Sequence, residues 1–295
     1  MPVIQTLKGH KRGRIAKGFT KDMTRLAIIA GEGQLPVEVA AAATAGGFDV
    51  LILPINGQAD ADFTAYRTVP IRLGAIGETR AVMVQHKIEK LVMVGKVSWP
   101  SMAALRPDFD GVKLLGKMIT KGDDNVLRHV ATYFAEKGIE TMAVDAFLPH
   151  RKMPLGLVAG SKPDVQSMAM IAVGAAILAA LGKHDVGQSV IVQNGRVIAI
   201  EAAEGSDAMI ARTAALLDPD GGIACLVKMR KSAQDFRLDM PVMGCNTILS
   251  AAKAGLSLLA IEAKSVLLAD DIVAIKALCK THDVTLIGID SSITS

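Results

Sequence analysis

Aromatic residues are scarce in this chain: Phe, Trp and Tyr make up 3% of its 295 residues. The interleaving of basic and aromatic side chains that stacks nucleic-acid bases is therefore absent, and no nucleic-acid partner is expected. Cysteine is scarcer still. Cys225, Cys245 and Cys279 are too few and too scattered for a disulfide frame or a zinc site, which favours a reducing compartment. The histidines stand apart from one another, with no HxxxH-type spacing. No GxSxG occurs and Cys245 has no histidine beside it in sequence, so nothing supports a nucleophilic serine or cysteine. Internal repeats and low-complexity tracts are also missing. No secretory leader is expected, because an Arg/Lys-rich head runs straight into a strand pattern.

What is abundant is aliphatic. Hydrophobic residues reach 51% and the mean hydropathy is +0.36, so the core must be built from Ala, Val, Ile, Leu and Met. The length favours two domains over one. The net charge of +4 is uneven: residues 1–25 hold seven Lys or Arg against one Asp. Residues 1–24 read as a basic extension, either inert or in contact with an anionic surface. Gln166 to Gly182 carries no charged residue, is at the lower limit for a membrane span and is rich in Ala, Gly and Ser. A buried helix is expected there.

Strand and helix patterns alternate over 25–150. Arg25–Ala30 reads as a buried strand, followed by a glycine turn, Gly31-Glu-Gly33-Gln34-Leu-Pro36, and an Ala-rich helix with Pro36 at its first position. Strands Phe48–Ile55, Lys90–Val94 and Ile139–Val144 alternate with helices near Glu78–Lys90, Gly111–Ile119 and Asp123–Lys137, which predicts a Rossmann-like parallel-sheet domain. Leu148–Gly156 is the candidate linker. Residues 157–295 predict a second, mixed α/β domain: Asn194-Gly195 is a hairpin signal, and strands Ile223–Lys228 and Val284–Asp290 flank further helices. A ligand cleft is expected between the two α/β domains.

The richest stretch runs from Lys228 to Gly244. It sets Asp235 and Asp239 around Arg237, with Lys231 and Gln234 upstream and Thr247 downstream. Pro241 disfavours helix at Met240, so an extended segment is predicted, with the three charged residues on one face at intervals of about 6.5–7 Å. A helix from Cys245 would bring its positive end alongside. Carboxylates for a cation, an arginine fork for an oxyanion and free helix-start amides suit a phosphate ester with Mg²⁺; a solvated loop with a salt bridge is the alternative. Gly31, Gly33 and Gln34 predict close approach of a polar or anionic ligand, although Pro36 replaces the third glycine of a dinucleotide fingerprint. Lys96 ends a predicted strand, Lys121 and Asp124 adjoin a helix start at which Asp123 can cap, and Ser206 opens another helix.

In order and spacing these blocks resemble the UDP-2,3-diacylglucosamine diphosphatase family of the lipid A pathway, in its two-domain α/β form and not the metallophosphoesterase form. The carriers are Ile28–Pro36, Gly95-Lys-Val-Ser-Trp-Pro100, Lys121-Gly-Asp-Asp124, Asp185-Val-Gly-Gln188, Glu201–Met209 and Gln234–Gly244, spread over about residues 25–290. The resemblance implies a Mg²⁺-dependent cytoplasmic enzyme, peripheral at the inner membrane. Its reaction would cleave UDP-2,3-diacylglucosamine to UMP and 2,3-diacylglucosamine 1-phosphate. It maps the family's critical aspartate onto Asp239, as metal ligand or orienter of water, with Arg237 and Lys231 on the phosphates and Lys96 on the far wall. Ser206 stands where the family has threonine and keeps the hydroxyl. Two departures are visible: Trp99 occupies a usual arginine position, and the uncharged helix replaces an amphipathic one.

Two other readings stay open: a nucleotide-sugar or dinucleotide-dependent enzyme built on the first glycine turn, and a non-catalytic nucleotide-lipid sensor. The apolar content predicts a homodimer.

Overall fold

The structure is a computed structural model that describes residues 23–98, 105–118, 123–231, 237–238 and 240–294. The first sheet is built of β1 (Arg25–Ala30), β2 (Asp49–Pro54), β3 (Arg67–Thr68), β4 (Lys90–Val94) and β5 (Glu140–Thr141). Its order is β3-β2-β1-β4-β5 and every pairing is parallel. The unbroken apolar runs of β1 and β2 follow from burial on both faces, as parallel sheets require. Helices α1 (Leu35–Ala45), α2 (Ile76–Gln85), α3 (Phe109–Met118) and α4 (Asp123–Ala135) complete this domain. The chain builds outward from β1 to β3 and then returns to β4 on the other side of β1. The topological switch point, where open α/β sheets bind ligands, therefore falls between the carboxyl ends of β1 and β4.

The second sheet comprises β6 (Gly156–Ala159), β7 (Ser189–Gln193), β8 (Arg196–Ile200), β9 (Ala224–Lys228), β11 (Leu258–Glu262) and β13 (Thr285–Ile289), in the order β6-β13-β11-β9-β7-β8. Its centre, β9-β11-β13, is parallel, and β6, β7 and β8 join antiparallel. Asn194 and Gly195 take φ of 51° and 72°, the pair of positive values that a tight β7–β8 hairpin needs. Helices α5 (Val165–Gly182), α6 (Gly205–Thr213), α7 (Cys245–Ala254) and α8 (Ile272–Thr281) pack on its faces. The predicted two-domain α/β architecture, a parallel first sheet and a mixed second one, is what the structure has.

Some expectations need correction. Helix α5 is buried along one stripe only (Ser167, Met170, Ile171, Gly174, Ala175, Leu178 and Gly182), and Val165 is 88% exposed at its start. By length and composition alone this helix could cross a membrane, with 39% of it buried within the protein. Gly174 sets its approach to the sheet: a Cβ there would lie 2.6 Å from Val227 Cγ2. The strand predicted over Ile139–Val144 shrinks to Glu140–Thr141, because Val144 already begins a 3-10 turn. The candidate linker is no loose connection. Met153 is fully buried in the second domain's core, its N–H donates to Val266 O, and Lys152 bridges Leu267.

The two domains share apolar contacts. Met240 and Leu267, which follow the second sheet's strands in sequence, are buried with Leu26, Ile28, Ile52 and Val92 of the first sheet. A short parallel pair, β10 (Val242–Met243) with β12 (Leu267–Leu268), holds that insertion in place. Met240, next to Pro241, is thus anchored at the domain boundary.

Candidate functional site

At the switch point, β1 and β4 exit back to back. Gly31 N–H donates to Val94 O, and Glu32 and Lys96 exchange backbone hydrogen bonds at 2.9 and 3.0 Å. A Cβ on Gly31 would lie 2.5 Å from Lys96 O, and one on Gly95 would lie 2.7 Å from the Gly31 carbonyl carbon. Gly31 is therefore required by the meeting of two backbones. Gly33 has φ of +100° and its N–H donates to Asp60 Oδ1 at 2.7 Å, so that amide is already engaged. Exposed Gln34 occupies the N-cap position of α1 without a side-chain cap, and Leu35 places Pro36 second in the helix rather than first.

Lys96 reaches from this edge toward the second domain, with its Nζ 3.9 Å from Asp207 Oδ2 in the first turn of α6. Both groups are exposed, so the pair is loose and of small energetic weight. Its interest is positional: Lys96 faces the helix that begins at Gly205-Ser206. The Ser206 hydroxyl is the hub of a buried network. It receives Lys228 Nζ at 3.0 Å, lies 3.0 Å from Ser189 Oγ and donates to Glu201 Oε2 at 2.9 Å. Lys228 and Glu201 are 5% and 7% exposed, and Ser189 is fully buried. Strand pairing explains the meeting, because Ser189 and Lys228 are cross-strand partners that share the pleat face of Ile191 and Leu226. Neither Lys228 nor Glu201 was singled out from sequence. The available signal was a lysine ending an otherwise apolar strand, a position at which burial demands a partner.

Lys231 Nζ bonds Asp185 Oδ1 at 2.8 Å, which joins two of the sequence blocks. Arg237 and Leu238 lie in a turn and not in the predicted extended run; Pro241 constrains only the residue before it, and extension resumes at Val242. Exposed Arg237 borders a cavity of about 390 Å³ lined also by Arg128, Thr132, Ile139 and Thr141, beside α4 and β5 and not beside the glycine turn. Lys121, Gln234, Asp235 and Asp239 lie outside the described residues, as do Trp99, residues 1–22 and the side chain of Asp124.

The helix end expected to supply free amides is filled from within. Asp270 Oδ2 accepts from Cys245 N at 2.6 Å, and Thr247 is buried with its Oγ1 3.4 Å from Gly244 N. Thr247 thus serves its own helix start, and α7 is already capped by a carboxylate. Burial, and then Asp270, raise the Cys245 thiol above its ordinary range despite the helix start. Burial pushes Cys225 up to about 12 and Cys279 up to about 11. None of the three is an activated nucleophile.

For a metal, no group of three or more His, Cys, Asp or Glu comes together among the described residues. The nearby carboxylates are committed: Asp185 to Lys231, Glu201 to Ser206, Glu262 to Arg230 N and Ser265, and Asp270 to Cys245 N. Mg²⁺ nonetheless fits this chemistry, because it commonly takes one or two carboxylates and completes its shell with water and substrate phosphate.

Comparison with known proteins agrees with this architecture. The LpxI N-terminal domain family matches residues 25–151 and the LpxI C-terminal domain family matches residues 154–287. The UDP-2,3-diacylglucosamine pyrophosphatase LpxI of Caulobacter vibrioides is 33% identical over 256 residues, covering 84% of this chain and 91% of that protein. Among solved structures, an NAD⁺-bound short chain dehydrogenase from Leptospira borgpetersenii is 16% identical, covers 45% of this chain and 74% of its own, and reaches a TM-score of 0.25. A glycinamide-RNase-transformylase T from Mycobacterium tuberculosis is 16% identical, covers 61% and 44%, and reaches 0.24. Scores this low carry no argument. With both family domains matched in order across most of its length, the chain belongs to the LpxI family.

Proposed function

We propose that this protein hydrolyses the diphosphate of UDP-2,3-diacylglucosamine, giving UMP and 2,3-diacylglucosamine 1-phosphate, with Mg²⁺ as cofactor. The observation that carries the reading is membership of the LpxI family over both domains. The geometry supports it, because Lys96 of the first domain and the Ser206–Lys228 cluster of the second converge from opposite sides of the boundary. A bridging diphosphate repels hydroxide until its charge is offset, which Mg²⁺ and lysine or arginine side chains can do. Asp239 is assigned to holding the metal or orienting the attacking water, with Asp235 four residues before it in sequence. Lys231 and Arg237 are assigned to the phosphates, with Lys96, Lys121, Asp124 and Gln234 completing the substrate contacts. Incubation with UDP-2,3-diacylglucosamine should release UMP, and EDTA should stop it until Mg²⁺ is restored in excess. Turnover unchanged by EDTA would remove the metal from the scheme, and absence of UMP would remove the activity.

The substrate's acyl chains would bring the enzyme to the cytoplasmic face of the inner membrane as a peripheral protein. Sedimentation with vesicles that carry the substrate tests this, and recovery only in the supernatant contradicts it. The exposed apolar side of α5, with Val165 and Val173 bare, favours a homodimer. A monomer mass by light scattering at micromolar protein contradicts that assignment.

A further inference from the structure

The hydroxyl of Ser206 has one hydrogen to give and two lone pairs to fill. Lys228 Nζ can only donate, so it occupies one lone pair, and the carboxylate oxygen of Glu201 draws the hydrogen. Ser189 is then left to donate into the second lone pair. Every capacity of the hydroxyl is used inside the protein, and its direction is set by the buried lysine. A lysine buried to this degree at the carboxyl end of a strand is costly to keep unless its ammonium has work or partners. The next residue along α6, Asp207, is the one that Lys96 meets from the first domain. Ser206 thus lies one residue away from the contact that Lys96 makes across the boundary.

We propose that Lys228 is a positioning residue for the diphosphate reaction, acting through Ser206. By filling one lone pair it aims the single hydroxyl hydrogen, which Glu201 accepts at rest and a phosphate oxygen takes when substrate is bound. The inference rests on the diphosphatase reading. It assigns the lysine a task that neither the family match nor the sequence motifs give it. A hydroxyl already polarised by an ammonium is a stronger donor to an anionic oxygen than a free serine.

The test is a double-variant cycle on turnover. Lys228→Met and Ser206→Ala should each lower kcat about 10- to 100-fold while KM moves by only about a factor of three, because the lost interaction strengthens as charge develops. Since both act through one hydroxyl, the double variant should be no slower than the slower single variant. Ser206→Thr, which keeps the hydroxyl, should stay within about threefold of the parent rate. If Lys228→Met melts too low to assay, Lys228→Arg retains a donor and a charge, and its losses must likewise fail to multiply with those of Ser206→Ala. Wild-type kcat in a folded Lys228→Met protein, or losses that multiply in the double variant, would overturn the proposal. Failure of the unmodified protein to release UMP would overturn the diphosphatase reading and this inference with it. A working parent enzyme with an unaffected Lys228→Met variant overturns only the role of Lys228.

Discussion

Asp239→Asn should keep substrate affinity within about threefold and lower turnover by roughly 10²–10³, the usual cost of removing one electrostatic group from a charged transition state. The amide matches the carboxylate in size, so the loop has no steric reason to move. What changes is charge: Asn binds Mg²⁺ more weakly and cannot take a proton from water. The neighbours of Asp239 in sequence, Leu238 and Met240, are both buried. Binding is read by titration calorimetry with substrate, and turnover by release of UMP. Near wild-type turnover would end the assignment of Asp239, whereas loss of both binding and turnover would point to a folding defect.

Met240→Ala should cost about 2–5 kcal/mol of stability, as truncation of buried Met, Leu or Ile commonly does. Met240 is 8% exposed and sits among core residues of the first sheet, although it belongs in sequence to the second domain. Its loss leaves a cavity at the boundary, directly after Asp239 in sequence. Activity should therefore fall together with the melting temperature, and turnover should recover partly on cooling or in a stabilising osmolyte. An unchanged melting temperature for Met240→Ala would show that the domain contact is not the anchor described here.

The fold was legible where periodicity and turn chemistry agreed. Asn194-Gly195 announced its hairpin, apolar runs announced β1, β2 and β9, and the helix after Gly244 began at Cys245. Short elements were hidden, because the two residues of β3 and β10 carry no period to read. Burial of Met153 and Met240 was hidden for another reason: a methionine looks alike in a loop or a core until the partner domain is seen. At the site, charged residues stood out in sequence but their commitments did not. Asp270 filled the helix start from twenty-five residues away, and Asp60 took the Gly33 amide. Gly31, read from sequence as a ligand's glycine, also serves the approach of two backbones, a need invisible until β4 is seen beside it. Lys228 and Glu201 were overlooked because hydrophobic strands surround them, and only strand pairing brings both to Ser206.

The central claim is that water is added across a nucleotide-lipid diphosphate at this domain boundary. Turnover of UDP-2,3-diacylglucosamine in ¹⁸O-labelled water, with both products analysed by mass spectrometry, tests it directly. The account predicts UMP and the lipid 1-phosphate in equal amounts, with one ¹⁸O in one of the two phosphates and none in the other, which also identifies the phosphorus attacked. Products free of label, or the absence of UMP altogether, would contradict it.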